Sequence, residues 1–150
     1  QAEVYGPRMA EAQANDGARR FVAGCKELGW TTYIISHKTQ FATQDATRTD
    51  LRAAALTWLE TQKFLGETVP AIPKENVFFE ASRGEKITRI NTLRCTHFID
   101  DLDETFLEET FPCKVTKLLY SLDPLSPTVT NVDLTGDWWE IKDHLFCADE

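Results

Sequence analysis

The sequence predicts an α/β fold, in which a mostly parallel, Rossmann-like sheet lies between two layers of helices. Short runs rich in β-branched and aromatic residues alternate along the chain with segments of helical periodicity. Helices that connect parallel strands cover both faces of the sheet, which gives three layers. The length of 150 residues suits one domain. Ligands of such folds bind beyond the carboxyl ends of the strands, so chemistry is expected there.

Four strands are predicted from composition, and a short edge strand follows them. They lie at residues 31–36, 77–80, 96–99 and 115–120, with the edge strand at residues 128–132.

Helices are predicted where apolar residues recur at spacings of three and four. They cover residues 17–28, a segment that Asp50 caps, residues 85–93 and a last segment that Asp137 caps. The polar stretch at residues 37–49 is predicted to be a loop of a length usual for function or flexibility.

Composition excludes several classes of partner. The net charge is −8 and no cluster of Lys and Arg is visible, which argues against a nucleic-acid surface. No apolar run approaches the roughly 18 residues of a membrane span, and no signal peptide is visible, so a cytoplasmic protein without membrane contact is expected.

The cysteines contain no Cys-x-x-Cys pair, and buried, reduced thiols are expected rather than zinc ligands: Cys25, Cys95, Cys113 and Cys147.

The predicted strand ends carry three kinds of side chain that suit phosphoryl transfer. Ser36 ends the first strand, Asp100 and Asp101 follow the third, and Lys86 precedes Asp100 by 14 positions. A hydroxyl donates to phosphate, an ammonium offsets its charge, and adjacent carboxylates hold Mg²⁺. The alternatives are a strand-end Ser36, a solvated Lys86 and an Asp pair that caps the next helix.

These residues also resemble the motifs of the haloacid dehalogenase-like (HAD-like) hydrolase superfamily. YIISHKT at residues 33–39 is similar to its second motif, Lys86 to the third, and THFIDD at residues 96–101 to the fourth. The resemblance covers residues 17–120. It implies a Mg²⁺-dependent phosphatase acting on a small phosphorylated substrate. It also implies that Ser36 and Lys86 are catalytic residues at the phosphate, with Asp101 and then Asp100 as Mg²⁺ ligands.

The chain departs from this family at the nucleophile, which is the first Asp of an Asp-x-Asp motif on the first strand. No Asp-x-Asp precedes Ser36. The first, central strand is therefore expected to be missing, with residues 1–15 as the remnant of a helical cap and residues 16–150 as the core domain. Catalytic inactivity of this chain alone and self-association through open sheet edges are expected.

Two other interpretations of the sequence remain open. One is a non-catalytic HAD-like domain that serves binding or regulation. The other is an unrelated doubly wound domain whose Asp pair caps a helix. The resemblance predicts that Ser36, Lys86 and Asp101 face one cleft, whereas the unrelated domain does not require it.

Overall fold

The computed structural model describes residues 16–40, 50–66, 72–123 and 131–146. The chain divides into two compact units, Gln1–Ser82 (unit 1) and Arg83–Glu150 (unit 2). The described strands form one sheet in each unit, and all their ladders are parallel. The predicted α/β class and parallel pairing are therefore confirmed. Within the described part of the chain, no helix is long and apolar enough to cross a membrane.

Unit 1 contains two helices, two strands and one 3₁₀ turn among its described residues. Strand β1 lies beside β2 in parallel, and Ile35 stands opposite Phe78. Asp50 accepts a hydrogen bond from the Ala53 backbone N–H at 2.9 Å, which confirms it as an N-cap. The elements are α1 (Asp16–Glu27), β1 (Ile34–His37), α2 (Leu51–Thr61), the 3₁₀ turn (Lys74–Asn76) and β2 (Val77–Glu80).

Unit 2 contains a three-stranded sheet in the order β3-β4-β5. Its core includes Ile90, Leu118 and Ile141, which are 0% exposed. Burial of these apolar side chains is the main favourable term in folding the unit. The elements are α3 (Arg83–Thr92), β3 (His97–Asp100), α4 (Asp103–Leu107), β4 (Thr116–Tyr120), β5 (Leu134–Gly136) and α5 (Trp138–Phe146).

Helix α5 begins with a reciprocal cap. The Glu140 N–H donates to Asp137 Oδ1, and the Asp137 N–H donates to Glu140 Oε2, both at 2.9 Å. A Cβ atom on Gly136 would lie 2.2 Å from Glu140 Oε2, so this cap requires glycine where β5 ends. The prediction that Asp137 caps the last helix is confirmed.

The third and fourth strands differ by one residue from the prediction, and two other predicted strands have boundaries that are wrong by more. The first strand is Ile34–His37 rather than residues 31–36, because its partner β2 has only four residues and their ladder begins at Ile34. The edge strand is Leu134–Gly136, and it begins where Leu134 meets its partner on β4. Residues 131 and 132 lie outside it, and residues 124–130 lie outside the described residues, as do residues 1–15 and 41–49.

The prediction of buried thiols is correct for one cysteine and wrong for another. Cys25 is 3% exposed, whereas Cys95 is partly buried and Cys113 is exposed in the turn that precedes β4. All three are free thiols. Cys147 lies outside the described residues.

Leu118 provides a test of the core of unit 2. Because its side chain is 0% exposed, Leu118→Ala should lower the free energy of unfolding by about 2 to 5 kcal/mol through lost burial and a residual cavity. Leu122→Ala is the matched control, since Leu122 is 72% exposed, and its effect should stay within about 0.5 kcal/mol. Urea denaturation followed by circular dichroism measures both, and equal losses would contradict the assigned core.

Candidate functional site

The site is centred on a buried ion pair at the carboxyl end of β3. Lys86 Nζ lies 2.6 Å from Asp100 Oδ2, and the two side chains are 11% and 5% exposed. Asp100 is the last residue of β3, and Lys86 lies in the first turn of α3, which leads into that strand. The structure thus brings two of the predicted site residues into direct contact within unit 2, and Lys86 is not a solvated helix residue.

Further donors hold the Asp100 carboxylate. The Leu102 N–H donates to Asp100 Oδ1 at 3.1 Å, and the hydroxyl of Thr105, which is 2% exposed, donates to the same carboxylate. Burial alone would raise the pKa of Asp100, but the hydrogen bond and charge of Lys86, together with these donors, lower it. Asp100 therefore stays ionised. Thr105 was missed by sequence reasoning, because its role depends on how α4 folds back to Asp100.

Lys86 is also held from a second side. Its Nζ lies 5.4 Å from the centroid of the Phe98 ring, within the range of a cation–π contact. Ile87 and Ile90 bury the adjacent face of α3 and fix the helix that carries Lys86. The ammonium group is therefore fixed beside Asp100 by packing as well as by charge.

Asp101 is the second carboxylate of the site and is affected by the charge of Asp100. Partial burial, and then the hydrogen bond and charge of Asp100, raise the pKa of Asp101. Asp101 is exposed as a whole residue, so solvent screens part of this effect. When ionised, the two carboxylates and the one ammonium group carry a net charge of one negative unit. The site would therefore gain from a bound cation.

Arg83 occupies the rim of the site. Its guanidinium contacts Glu104 at 2.8 Å and Glu108 at 3.1 Å, and thereby links the start of α3 to α4. These contacts order α4, the helix on which Thr105 lies.

Ser36 lies in unit 1, on β1, one position before the end of the strand. It stands opposite Phe79 in the ladder and is half-buried. Lys38 follows the strand, its N–H donates to the Glu80 carbonyl at 2.9 Å, and burial lowers the pKa of its side chain. The expected convergence of Ser36 with Lys86 and the Asp pair stays a prediction.

Asp100 and Asp101 are the side chains of this site that could hold a metal ion. Within residues 16–40, 50–66, 72–123 and 131–146, no group of three or more His, Cys, Asp and Glu side chains is arranged to hold a metal ion. Mg²⁺ is often bound through only one or two carboxylates and keeps several waters. Asp100 and Asp101 are adjacent carboxylates at one strand end, so their chemistry fits such a partial shell.

Comparison with protein-family models, with curated proteins and with solved structures gives no significant match. What this end of the sheet can do is therefore inferred from its own side chains. They form a fixed cation, a fixed anion and a second carboxylate that is exposed and short of positive charge.

Lys86→Met tests the ion pair. The substitution leaves Asp100 buried without its partner, which should lower the free energy of unfolding by about 3 to 5 kcal/mol at pH 7. Lys114→Met is the matched control, because Lys114 is exposed, and it should have little effect. Urea denaturation in the presence of a chelator measures both.

The pH dependence of this loss has a definite sign. In the unmodified chain the pKa of Asp100 is lowered, so its contribution is complete above the unfolded pKa of about 3.9 and is lost only as the pH falls through the folded pKa. In Lys86→Met, burial should instead raise that pKa, and the variant should recover stability as the pH falls from 7 toward 4. A loss independent of pH would contradict the assignment to Asp100.

Proposed function

We propose that this chain provides the phosphate-binding and Mg²⁺-binding side chains of a HAD-like, phosphatase-type hydrolase. The observation that carries the proposal is the contact of Lys86 with Asp100 at the carboxyl end of β3, with Asp101 directly after it. A buried ammonium fixed next to two carboxylates can bind a metal and a phosphate side by side. Sheet ends of this kind are where ligands of parallel α/β folds bind.

The charge of the site favours joint binding of Mg²⁺ and phosphate. The net charge of one negative unit on Lys86, Asp100 and Asp101 repels a phosphate dianion. A divalent cation changes that charge to one positive unit. Each ligand should therefore increase the affinity of the site for the other, and by linkage the two effects are equal.

Each of these side chains has a distinct role in the proposal. Lys86 has three donors, so one can point to a phosphate oxygen while another remains on Asp100. Ser36 is proposed as a hydrogen-bond donor to the phosphate. Asp101, and secondarily Asp100, would hold the metal, while Thr105 keeps Asp100 in place. Mg²⁺, when bound, offsets charge on the phosphoryl oxygens.

The division of the described strands into two parallel sheets supports a missing central strand. In the HAD-like fold, that strand would lie between β1 and β3. Each of these strands has one described ladder, β1 with β2 and β3 with β4, and each is therefore at an edge of its own described sheet. The proposal includes a three-layer, Rossmann-like arrangement in which the position of the central strand is unfilled by residues 16–150.

The nucleophile is proposed not to be among residues 16–150. The single Asp-x-Asp in the sequence is Asp101-Leu102-Asp103, which begins after β3 has ended. Asp100 is held by Lys86, Leu102 and Thr105 and is not available for attack. Loss of the nucleophile in a covalent mechanism costs several orders of magnitude in rate while binding groups remain.

A non-catalytic binding domain is the second candidate. It is favoured by the same hydrogen-bonded Asp100, since an ion pair this well satisfied also serves a purely binding or structural role. The two candidates share the ligand site and differ in whether a nucleophilic carboxylate can be placed at it. Ligand binding and turnover therefore have to be measured separately.

Metal binding can be tested with Mn²⁺ as a paramagnetic probe. Mn²⁺ should broaden the backbone amide signals of Leu102 and Thr105 in NMR spectra, and Mg²⁺ should restore them. Asp101→Asn should weaken this binding about tenfold or more, whereas Glu109→Gln removes an exposed carboxylate elsewhere on unit 2 and should not change it. Inorganic phosphate should strengthen Mn²⁺ binding in the parent chain. If Mn²⁺ broadens these signals equally in Asp101→Asn and in the parent chain, the proposed metal site is wrong.

Turnover is expected to be absent. With 4-nitrophenyl phosphate and Mg²⁺, the chain should release nitrophenol no faster than Lys86→Met does, because Asp100 is held by Lys86 and Thr105 and no Asp-x-Asp precedes Ser36. Absorbance at the nitrophenolate band measures the rate. Robust turnover that disappears in Asp101→Asn would place the nucleophile within this chain. If a form extended upstream with an Asp-x-Asp is also inactive while it binds Mg²⁺ and phosphate, the binding-domain candidate is favoured.

A further inference from the structure

Two aromatic side chains lie at the same end of the sheet in unit 2. In the ladders, Asp100 stands opposite Leu119, and Tyr120 stands opposite Gly136. Tyr120 is the next residue along β4 and Asp101 the next after β3, so each lies one position beyond the pair of Asp100 and Leu119. Neighbouring strands are about 4.8 Å apart, so the side chain of Tyr120 starts one strand spacing from the acid pair. Trp138 begins α5 two residues after Gly136.

The two rings pack against each other. Their centroids are 5.3 Å apart and their planes are inclined by 37°. Both residues are half-buried, so part of each side chain remains accessible to solvent. Such a pair is held by its own packing and needs little reorganisation to accept another flat, apolar group.

The position of Trp138 is fixed by the start of its helix. The reciprocal hydrogen bonds of Asp137 and Glu140 set the first turn of α5, and Gly136 leaves room for the Glu140 side chain. Trp138 is the first residue of that turn. Its ring is therefore placed by backbone geometry as well as by contact with Tyr120.

The Tyr120 hydroxyl lies within electrostatic range of the acid pair. Burial, and then the charges of Asp137 and Asp101, raise the pKa of Tyr120. The hydroxyl therefore stays protonated and can donate. The charge effect of Asp101 agrees with the register, in which both residues come one position after the pair of Asp100 and Leu119.

We propose that Tyr120 and Trp138 bind the aromatic ring of an aryl phosphate monoester whose phosphate occupies the Lys86–Asp101 site together with Mg²⁺. The inference rests on the proposed function and adds a substrate class to it. An aryl ester is favoured because its ring is attached directly to a phosphate oxygen, and Tyr120 and Asp101 directly follow residues that are paired on neighbouring strands. Aromatic stacking would increase the affinity for the ring, and the phosphate would bind in the same way in aryl and alkyl esters.

The test compares phenyl phosphate with ethyl phosphate at saturating Mg²⁺, by isothermal titration calorimetry on the full chain. The two esters carry the same charge and differ in the ring. Phenyl phosphate should bind about tenfold more tightly to the unmodified chain, a typical effect for stacking on one aromatic surface. Cyclohexyl phosphate, of similar size but without an aromatic face, should fall between the two.

Variants assign the preference to the two rings. Trp138→Leu should bring the affinity ratio of phenyl to ethyl phosphate close to one while ethyl phosphate affinity stays the same. Trp139→Leu is the matched control, because Trp139 is the adjacent residue and is 46% exposed, and it should keep the full ratio. If Trp138→Leu does not fold, two other variants replace it. Tyr120→Leu should remove most of the preference for phenyl phosphate, and Trp138→Phe should remove part of it.

The possible failures are distinguishable. If the unmodified chain binds ethyl and phenyl phosphate equally well, the aryl preference is wrong and the proposed phosphate site stands. If Trp139→Leu removes the preference and Trp138→Leu keeps it, the ring surface has been assigned to the wrong face of α5. If neither ester binds in the presence of Mg²⁺, the proposed function fails and the substrate class fails with it.

Discussion

The contact between Lys86 Nζ and Asp100 Oδ2 links the first turn of α3 to the end of β3. Two charged groups that are this well buried are stable only as a pair, because either one alone would lack a counter-charge in a weakly polar environment. Leu102 and Thr105 complete the environment of Asp100, and their donation fixes the turn into α4. The geometry of the strand end therefore depends on this one contact.

The ion pair also determines the properties of its neighbour. Burial, and then the hydrogen bond and charge of the Asp100 carboxylate, raise the pKa of Asp101, and the opposing effect of the Lys86 charge is smaller. An exposed carboxylate next to a fixed anion is a place where a divalent cation is favourable. The proposed metal site, the phosphate that depends on it and the aromatic surface of Tyr120 and Trp138 all take their positions from this arrangement.

Local patterns predicted much of the described fold. Asp50 and Asp137 were recognised as N-caps because a cap is a local structure of three or four residues. The strand at Val77–Glu80 was placed correctly because the residues around it change composition at both ends. The ends of β1 and the position of β5 were wrong, since a strand extends only as far as its partner, and the partner is distant in sequence.

Thus the sequence by itself determined the alternation of helices and strands, the parallel class and the clustering of Lys86, Asp100 and Asp101 about one strand end. Regular periodicity and short spacing carry that information. Tertiary structure alone decided that Lys86 is paired rather than solvated and that Thr105 supports Asp100. It also decided that Tyr120 and Asp101 directly follow two residues that are paired in the sheet, Leu119 and Asp100. Those contacts depend on strand register and on the turn of α4. Both bring together residues whose pairing no local sequence pattern predicts.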